Sequence, residues 1–268
     1  MNKPDWYIIK YATNSDGYKY NGIINGPKGL VVHSTAMPGY DSNAMFDNFN
    51  VPKRGASIHG CLDNNQFIQM MPFTQKAGHV GSGKNGTFNS THLGIELCEP
   101  RGIVYNKKTW AIESYNPPKG YFESIWDKAT TLYALLCKEY NINPLQHDAN
   151  GGIVGHYEAH ALGYGDNHGD PSGWFAWEGV TMDDFRKDVY NKINNIEDDT
   201  MTYEQFKEYM NMYLNEATTS DPSTWAKTSC EKAIDKGIVL GDGNGAYNWQ
   251  KPLTREAYLV MQDRAGLL

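Results

Sequence analysis

Long apolar runs are missing from this 268-residue chain. No stretch approaches the roughly 18 apolar residues of a membrane-spanning helix, which excludes membrane insertion by that route. Clustered positive charge is missing as well. Lys and Arg total 24 against 31 Asp and Glu, for a net charge of -7. Phosphate backbones are held by clustered cations, so nucleic acid is excluded as the partner. Paired cysteines are absent: Cys61, Cys98, Cys137 and Cys230 lie far apart, with no Cys-x-x-Cys pattern. A chain of this size needs no disulfide framework, and buried free thiols are expected. The start, Met1-Asn2-Lys3-Pro4-Asp5-Trp6, lacks the apolar region of a secretory signal. Synthesis in the cytoplasm is therefore expected, with any work outside the cell requiring release by another route. Histidine, finally, is missing from the last hundred residues. Chemistry that needs imidazole is confined to the earlier part of the chain.

What is present fits an ordinary folded protein, with 40% hydrophobic and 21% charged residues. The aromatic share of 13% is high, with 18 Tyr and 7 Trp. Such side chains fill cores, and they also line carbohydrate or peptide grooves.

Gly29-Leu30-Val31-Val32-His33 reads as a short buried strand ending at a histidine. Gln66 to Met70 follows a turn at Asp63-Asn64-Asn65 and suggests a hairpin. Leu93 to Cys98 is another strand, its alternation placing Ile95 and Leu97 on one face and Glu96 on the other. From Tyr121 to Tyr140 the apolar spacing becomes helical. Gly152 to His156 reads as a further strand, again ending at a histidine. Thr181 is placed to cap a helix carrying Phe185, Val189 and Ile193 inward. Strands mixed with helices predict an α/β domain over residues 1–194, with a mixed central sheet flanked by helices. The polar, acidic stretch 195–201 reads as a linker. Residues 202–268 then form a small, mainly helical domain. Thr202 and Gln205 make a capping box for a helix to about Glu216, a second helix runs from Trp225 to Lys236, and Thr254 starts the last.

A catalytic zinc takes three protein ligands and keeps one position open for water. Such a metal lowers the pKa of a water and polarises the carbonyl under attack. His33 and His156 each follow an apolar strand run. The loop His168-Gly169-Asp170-Pro171 offers a third donor, with Pro171 stiffening the backbone behind it. Spacing alone leaves ligation and ordinary strand-end histidines equally open.

Six motifs carry a resemblance. They are Val32-His33-Ser34-Thr35, Ala56-Ser57-Ile58-His59, Gln75-Lys76-Ala77-Gly78-His79-Val80-Gly81, Leu93-Gly94-Ile95-Glu96, Val154-Gly155-His156 and His168-Gly169-Asp170-Pro171. In this order the region from about residue 25 to 180 resembles the type 2 N-acetylmuramoyl-L-alanine amidases, which share a fold with peptidoglycan recognition proteins. The resemblance implies that His33, His156 and Asp170 hold Zn2+, and that Glu96 is the general base. It implies that His79 lines the substrate groove. His59 either packs in the core or faces the substrate. Many relatives carry a lysine two residues before the last ligand, where it stabilises the oxyanion. Here that residue is His168, as in a subset of endolysins with a similar Asn-His-x-Asp run. An imidazolium donates only while protonated, so activity is expected to fall at alkaline pH earlier than in a lysine-bearing relative. His92 and His147 are expected at the surface, and His160 beside the site or at the surface. His156 and His160 are four apart, but Tyr157 stands where the helical metalloprotease motif needs glutamate.

The tail resembles one S-layer-homology-like unit, on Trp225-Ala226, Ala233 to Ile238, Gly241-Asp242-Gly243-Asn244-Gly245 and Leu253-Thr254-Arg255-Glu256. Such units commonly bind cell-wall polymers. One unit rather than the usual three leaves open whether it binds alone or as a homodimer. The Asp242-Gly-Asn244-Gly run lacks the later ligands of a calcium loop and reads as a turn. Together these features predict a phage endolysin that cuts the amide between N-acetylmuramic acid and L-alanine in bacterial peptidoglycan. The rival expectations are an autolytic or peptidoglycan-recycling amidase, a non-catalytic peptidoglycan-binding protein, and a zinc peptidase.

Overall fold

The computed structural model describes residues 3–19, 22–195, 207, 210, 221–243, 246, 247, 249 and 252–268. Two compact units form, Met1–Glu197 and Asp198–Leu268. The expected linker 195–201 and the expected helix from Thr202 to Glu216 lie outside the described residues, apart from Asn195, Lys207 and Met210.

In the first unit, β1 (Tyr7–Ile9), α1 (Asp16–Lys19), β2 (Gly29–Ser34), α2 (Ser42–Phe49), β3 (Gly60–Leu62), β4 (Phe67–Gln69) and β5 (His92–Leu97) come first. A hairpin of β6 (Ile103–Tyr105) and β7 (Ile112–Tyr115) precedes the long helix α3 (Tyr121–Tyr140). Then follow β8 (His147–Asp148), β9 (Gly151–Gly155), α4 (His156–Ala161), α5 (Ser172–Trp177) and α6 (Met182–Asn194). Seven strands make one mixed sheet in the order β1-β4-β3-β5-β2-β9-β8. β2 is central, parallel to β5 on one side and to β9 on the other. All six of its residues are buried, as expected of a parallel strand covered on both faces.

The expected hairpin forms between β3 and β4, and Asp63 tightens its turn by accepting from the backbone of Asn65 and Gln66 at 2.7 and 2.8 Å. α3 buries Ile125, Ala129, Leu132, Tyr133 and Leu136, which recur at the three- and four-residue intervals of one helix face. It packs on α6, where Phe185 meets Trp126 and Tyr133 with ring centroids 5.3 and 5.0 Å apart. Thr181 caps α6 in a reciprocal box with Asp184. Phe185 and Val189 are fully enclosed and Ile193 packs at the margin. Cys61, Cys98 and Cys137 are buried free thiols, and Cys230 is a half-buried one.

Two expectations are corrected. The strand expected to reach His156 stops at Gly155, and His156 opens α4. His92, expected at the surface, is buried at the start of β5. Its ring lies 3.9 Å from that of Phe88, centroid to centroid. Gly29 makes room for it, because a Cβ there would meet the imidazole at 2.4 Å.

The second unit contains α7 (Lys227–Asp235) and α8 (Arg255–Arg264). Gly237 follows α7 with φ +67 and returns its N–H to Ile234 O at 2.8 Å. Thr254 caps α8 by accepting from Ala257 N at 3.1 Å.

Candidate metal centre

Three neighbouring strands set three side chains in a row. His33 is level with Glu96 on β5. Val32 is level with Gly155, and His156, the next residue after β9, sets its ring beside that of His33 with centroids 4.8 Å apart. All three stand at the carboxyl ends of parallel strands, where α/β sheets collect their ligands. The loop after α4 brings Asp170 over the row. Asp170 Oδ2 is 3.0 Å from His33 Nδ1, and Asp170 Oδ1 is 3.2 Å from His156 Nδ1.

Two imidazole nitrogens and one carboxylate oxygen form the donor set, with all donor atoms within 4.8 Å of one another. That composition suits zinc, which takes nitrogen and oxygen donors at short range. The electrostatics fit a cation too. Burial pushes the Asp170 carboxyl up, but hydrogen bonds from His156 and His33 outweigh it and hold the group well below the usual carboxylate range. Burial lowers His33 against the pull of Asp170, which favours a neutral ring. Burial lowers His156 as well, but Asp170 and then Asp166 outweigh it and shift that ring upward.

The outer nitrogen of His33 is engaged. Its Nε2 is 2.9 Å from His79 Nδ1, and His79 Nε2 is 3.3 Å from the carbonyl of His92. A carbonyl only accepts, so His79 carries its proton on Nε2 and accepts at Nδ1. Burial, and then the charges of His33 and His59, hold His79 well below the ordinary imidazole range. Where a metal takes the place of the hydrogen between His33 Nδ1 and Asp170, a neutral His33 with its single proton on Nε2 would complete this chain and offer its Nδ1 lone pair. Gly94 permits the close packing, because a Cβ there would meet the His79 ring at 2.4 Å.

The row opens into a cavity of ≈ 830 Å³. Its lining includes the polar side chains of His33, His79, Glu96, His156, His168 and Asp170 and the aromatic ones of Tyr105, Trp110 and Trp174. Glu96 is half-buried, and its Oε2 has no hydrogen-bond partner. Burial, then the negative charges of Asp170 and Glu99, push its carboxyl well above the usual range. His168 stacks on His156 with centroids 4.8 Å apart. His79 therefore lines the cavity and also touches His33. His59 does not line it: it is fully enclosed, with Nδ1 accepting from Gly94 N at 3.0 Å and Nε2 donating to Gln75 O at 2.8 Å. The substrate-binding reading of His59 gives way to the core one. His160 is exposed, and its Nδ1 is 3.3 Å from the carbonyl of Gly165.

Three features escape sequence reading. Asp166 bonds both His156 and His168, at 2.8 Å each. Its signal was the alternation Asp166-x-His168-x-Asp170. Glu99 is fully buried and accepts from Ser34 Oγ and Tyr105 OH, both at 2.7 Å, tying the hairpin wall to β2. Trp110, 66% exposed with φ +57, stands on the β6–β7 hairpin. Neither of the last two carries a local pattern.

Residues 24–173 match the family model described as N-acetylmuramoyl-L-alanine amidase. The N-acetylmuramoyl-L-alanine amidase CwlH of Bacillus subtilis (strain 168) is 31% identical over 90 residues, covering 33% of this chain and 36% of that protein. The chain thus spans about a third of the length of the first curated relatives it matches. A bifunctional autolysin of Staphylococcus aureus (strain MSSA476) is 22% identical over 258 residues, covering 96% of this chain and 18% of that protein. Among solved structures, the Staphylococcus aureus hydrolase AmiA in complex with its ligand superposes with a TM-score of 0.52. It is 18% identical, covering 72% of this chain and 85% of that one, and the likeness is one of fold.

Proposed function

The chain belongs to the N-acetylmuramoyl-L-alanine amidase family, and from that membership we propose that it is a zinc-dependent amidase of bacterial peptidoglycan. The bond cut is the amide between the lactyl carbonyl of N-acetylmuramic acid and L-alanine. The observation that carries this reading is the row Glu96–His33–His156 under Asp170, open to one cavity.

His33, His156 and Asp170 would hold the zinc. When bound, it lowers the pKa of a water and polarises the scissile carbonyl. Glu96 takes the proton of the attacking water and passes it to the leaving amine of L-alanine. Its unpartnered Oε2 suits that exchange. His168 donates to the oxygen that gains negative charge. Tyr105 and Trp110 offer aromatic faces to the glycan or stem peptide.

In the same proposal the second unit holds the enzyme on a wall polymer, alone or as a homodimer. The whole acts as a lytic enzyme, a phage endolysin that reaches the wall after release from the host cytoplasm. A second reading, a bacterial autolysin, is favoured by the 258-residue similarity to a bifunctional autolysin.

Product analysis on purified walls tests the activity. New L-alanine amino termini without new reducing sugar support the amidase. Binding without product under zinc-replete conditions leaves a wall-binding protein instead.

A further inference from the structure

One carboxylate oxygen serves two imidazoles in this site. Asp166 Oδ1 is 2.8 Å from His156 Nε2 and 2.8 Å from His168 Nδ1. A carboxylate only accepts, so both nitrogens carry hydrogen and donate to it. The backbone of Asp166 is fixed as well: its N–H donates to Val80 O at 2.9 Å, and its carbonyl accepts from His168 N at 3.0 Å. Gly81, at φ +62, leaves the space that the carboxylate fills, since a Cβ there would meet Asp166 Cγ at 2.5 Å.

We infer that Asp166 is a positioning residue that orients the metal-facing nitrogen of His156 and the oxyanion-facing nitrogen of His168 through one oxygen. The inference rests on the metal reading above. With its Nε2 hydrogen given to Asp166, a neutral His156 presents a lone pair on Nδ1, the nitrogen that faces Asp170. A carboxylate behind a ligating imidazole fixes the ring and raises its basicity. With Nδ1 of His168 likewise engaged, Nε2 is the nitrogen left for the cavity that this ring lines. The His168 side chain is 60% exposed, so few contacts restrain its rotamer besides Asp166 and the stacked His156 ring. The stacking, with 25° between ring planes, follows from both rings reaching for one oxygen.

The test is zinc affinity, by competition with a chromophoric chelator, on the full chain and on Asp166→Ala, Asp166→Asn and His168→Ala. Asp166→Ala is expected to weaken zinc binding on the order of 10- to 100-fold. Asp166→Asn keeps the shape and one accepting oxygen, guards against a folding defect, and falls between. His168→Ala keeps wild-type zinc affinity and loses cutting rate. The absorption spectrum of the cobalt-loaded protein shifts in Asp166→Ala and not in His168→Ala. Wild-type zinc affinity in both Asp166 variants overturns the inference. So does a second zinc equivalent that binds the wild type and is lost in Asp166→Ala with the first unchanged, since Asp166 would then be a ligand of its own site. A wild-type protein that binds no zinc overturns the metal reading itself, which keeps the two failures apart.

Discussion

His33 on β2 and Glu96 on β5 are register partners in adjacent parallel strands. Neighbouring strands lie about 4.8 Å apart, and level residues present their side chains on the same face. The proposed ligand and the proposed base are therefore placed by the sheet and not by a loop. A metal held by His33 changes the charge balance at Glu96. Burial and the charges of Asp170 and Glu99 raise that carboxyl, and a nearby dication opposes all three by favouring the ionised form.

Glu96→Gln keeps the size and removes the proposed base. Cutting of purified walls is expected to fall on the order of 10²- to 10⁴-fold. Zinc content, read by metal analysis, should stay at the wild-type level, because Glu96 is not among the three donors. A variant that still cuts at near wild-type rate with full zinc assigns the proton transfer to another group.

Asp170→Ala removes the oxygen donor that faces both histidines. Zinc that binds only the folded state stabilises it by RT ln(1 + [L]/Kd), about 2.7 kcal/mol at a hundredfold excess over Kd. The wild type should show that shift in thermal unfolding on adding zinc to chelator-treated protein, and recover activity with it. Asp170→Ala should show neither at the same zinc concentration.

The legible parts of this fold were those with strong periodicity or local turn chemistry. β2 is a continuous apolar run and α3 a 20-residue amphipathic pattern. Thr181 announced α6 by its cap. The β6–β7 hairpin was not legible, because Val104 and Trp110 are exposed and its strands bury little. His92 misled for a different reason. Its burial depends on Gly29 across the sheet and on Phe88, neither of which marks it locally. His33, Glu96, His156 and Asp170 could be named through a family resemblance, but their convergence is a property of strand order. No spacing in the chain states that β9 lies beside β2.

The buried histidines predict an acid limb in stability. Burial lowers His59 to about 4 and His92 to about 3. Above pH 6.5 both rings are neutral folded or unfolded. Below it the unfolded chain takes up protons that the native state refuses, so stability falls with pH until the folded values are reached. For His59 alone the loss is on the order of 3 kcal/mol across that window. Denaturant unfolding of zinc-free protein at intervals from pH 7 to 4 measures it. His59→Gln should start less stable at pH 7 and show a shallower fall. An equal slope in the variant removes His59 as the cause.

Arg186 gives the last prediction, because it links a helix in the core to the candidate centre. Its guanidinium is buried on α6 and donates to both oxygens of Glu158, at 2.9 and 3.0 Å, and to the carbonyl of Ile153 at 3.0 Å. Glu158 Oε2 in turn accepts from Gly155 N at 2.8 Å, the residue before His156. Removing Arg186 takes both guanidinium donors from the partly buried Glu158 carboxylate and one donor from a β9 carbonyl. Breaking a buried pair from one side costs roughly 3–5 kcal/mol, so Arg186→Ala should lower the denaturation midpoint clearly. Arg186→Lys keeps a charge but loses the forked geometry, and should recover only part of it. The link to His156 adds a second readout. Zinc affinity, measured where each variant is still folded, should drop in Arg186→Ala, because the turn that starts α4 loses its anchor. Lower stability with unchanged zinc affinity would confine Arg186 to the core and detach it from the centre.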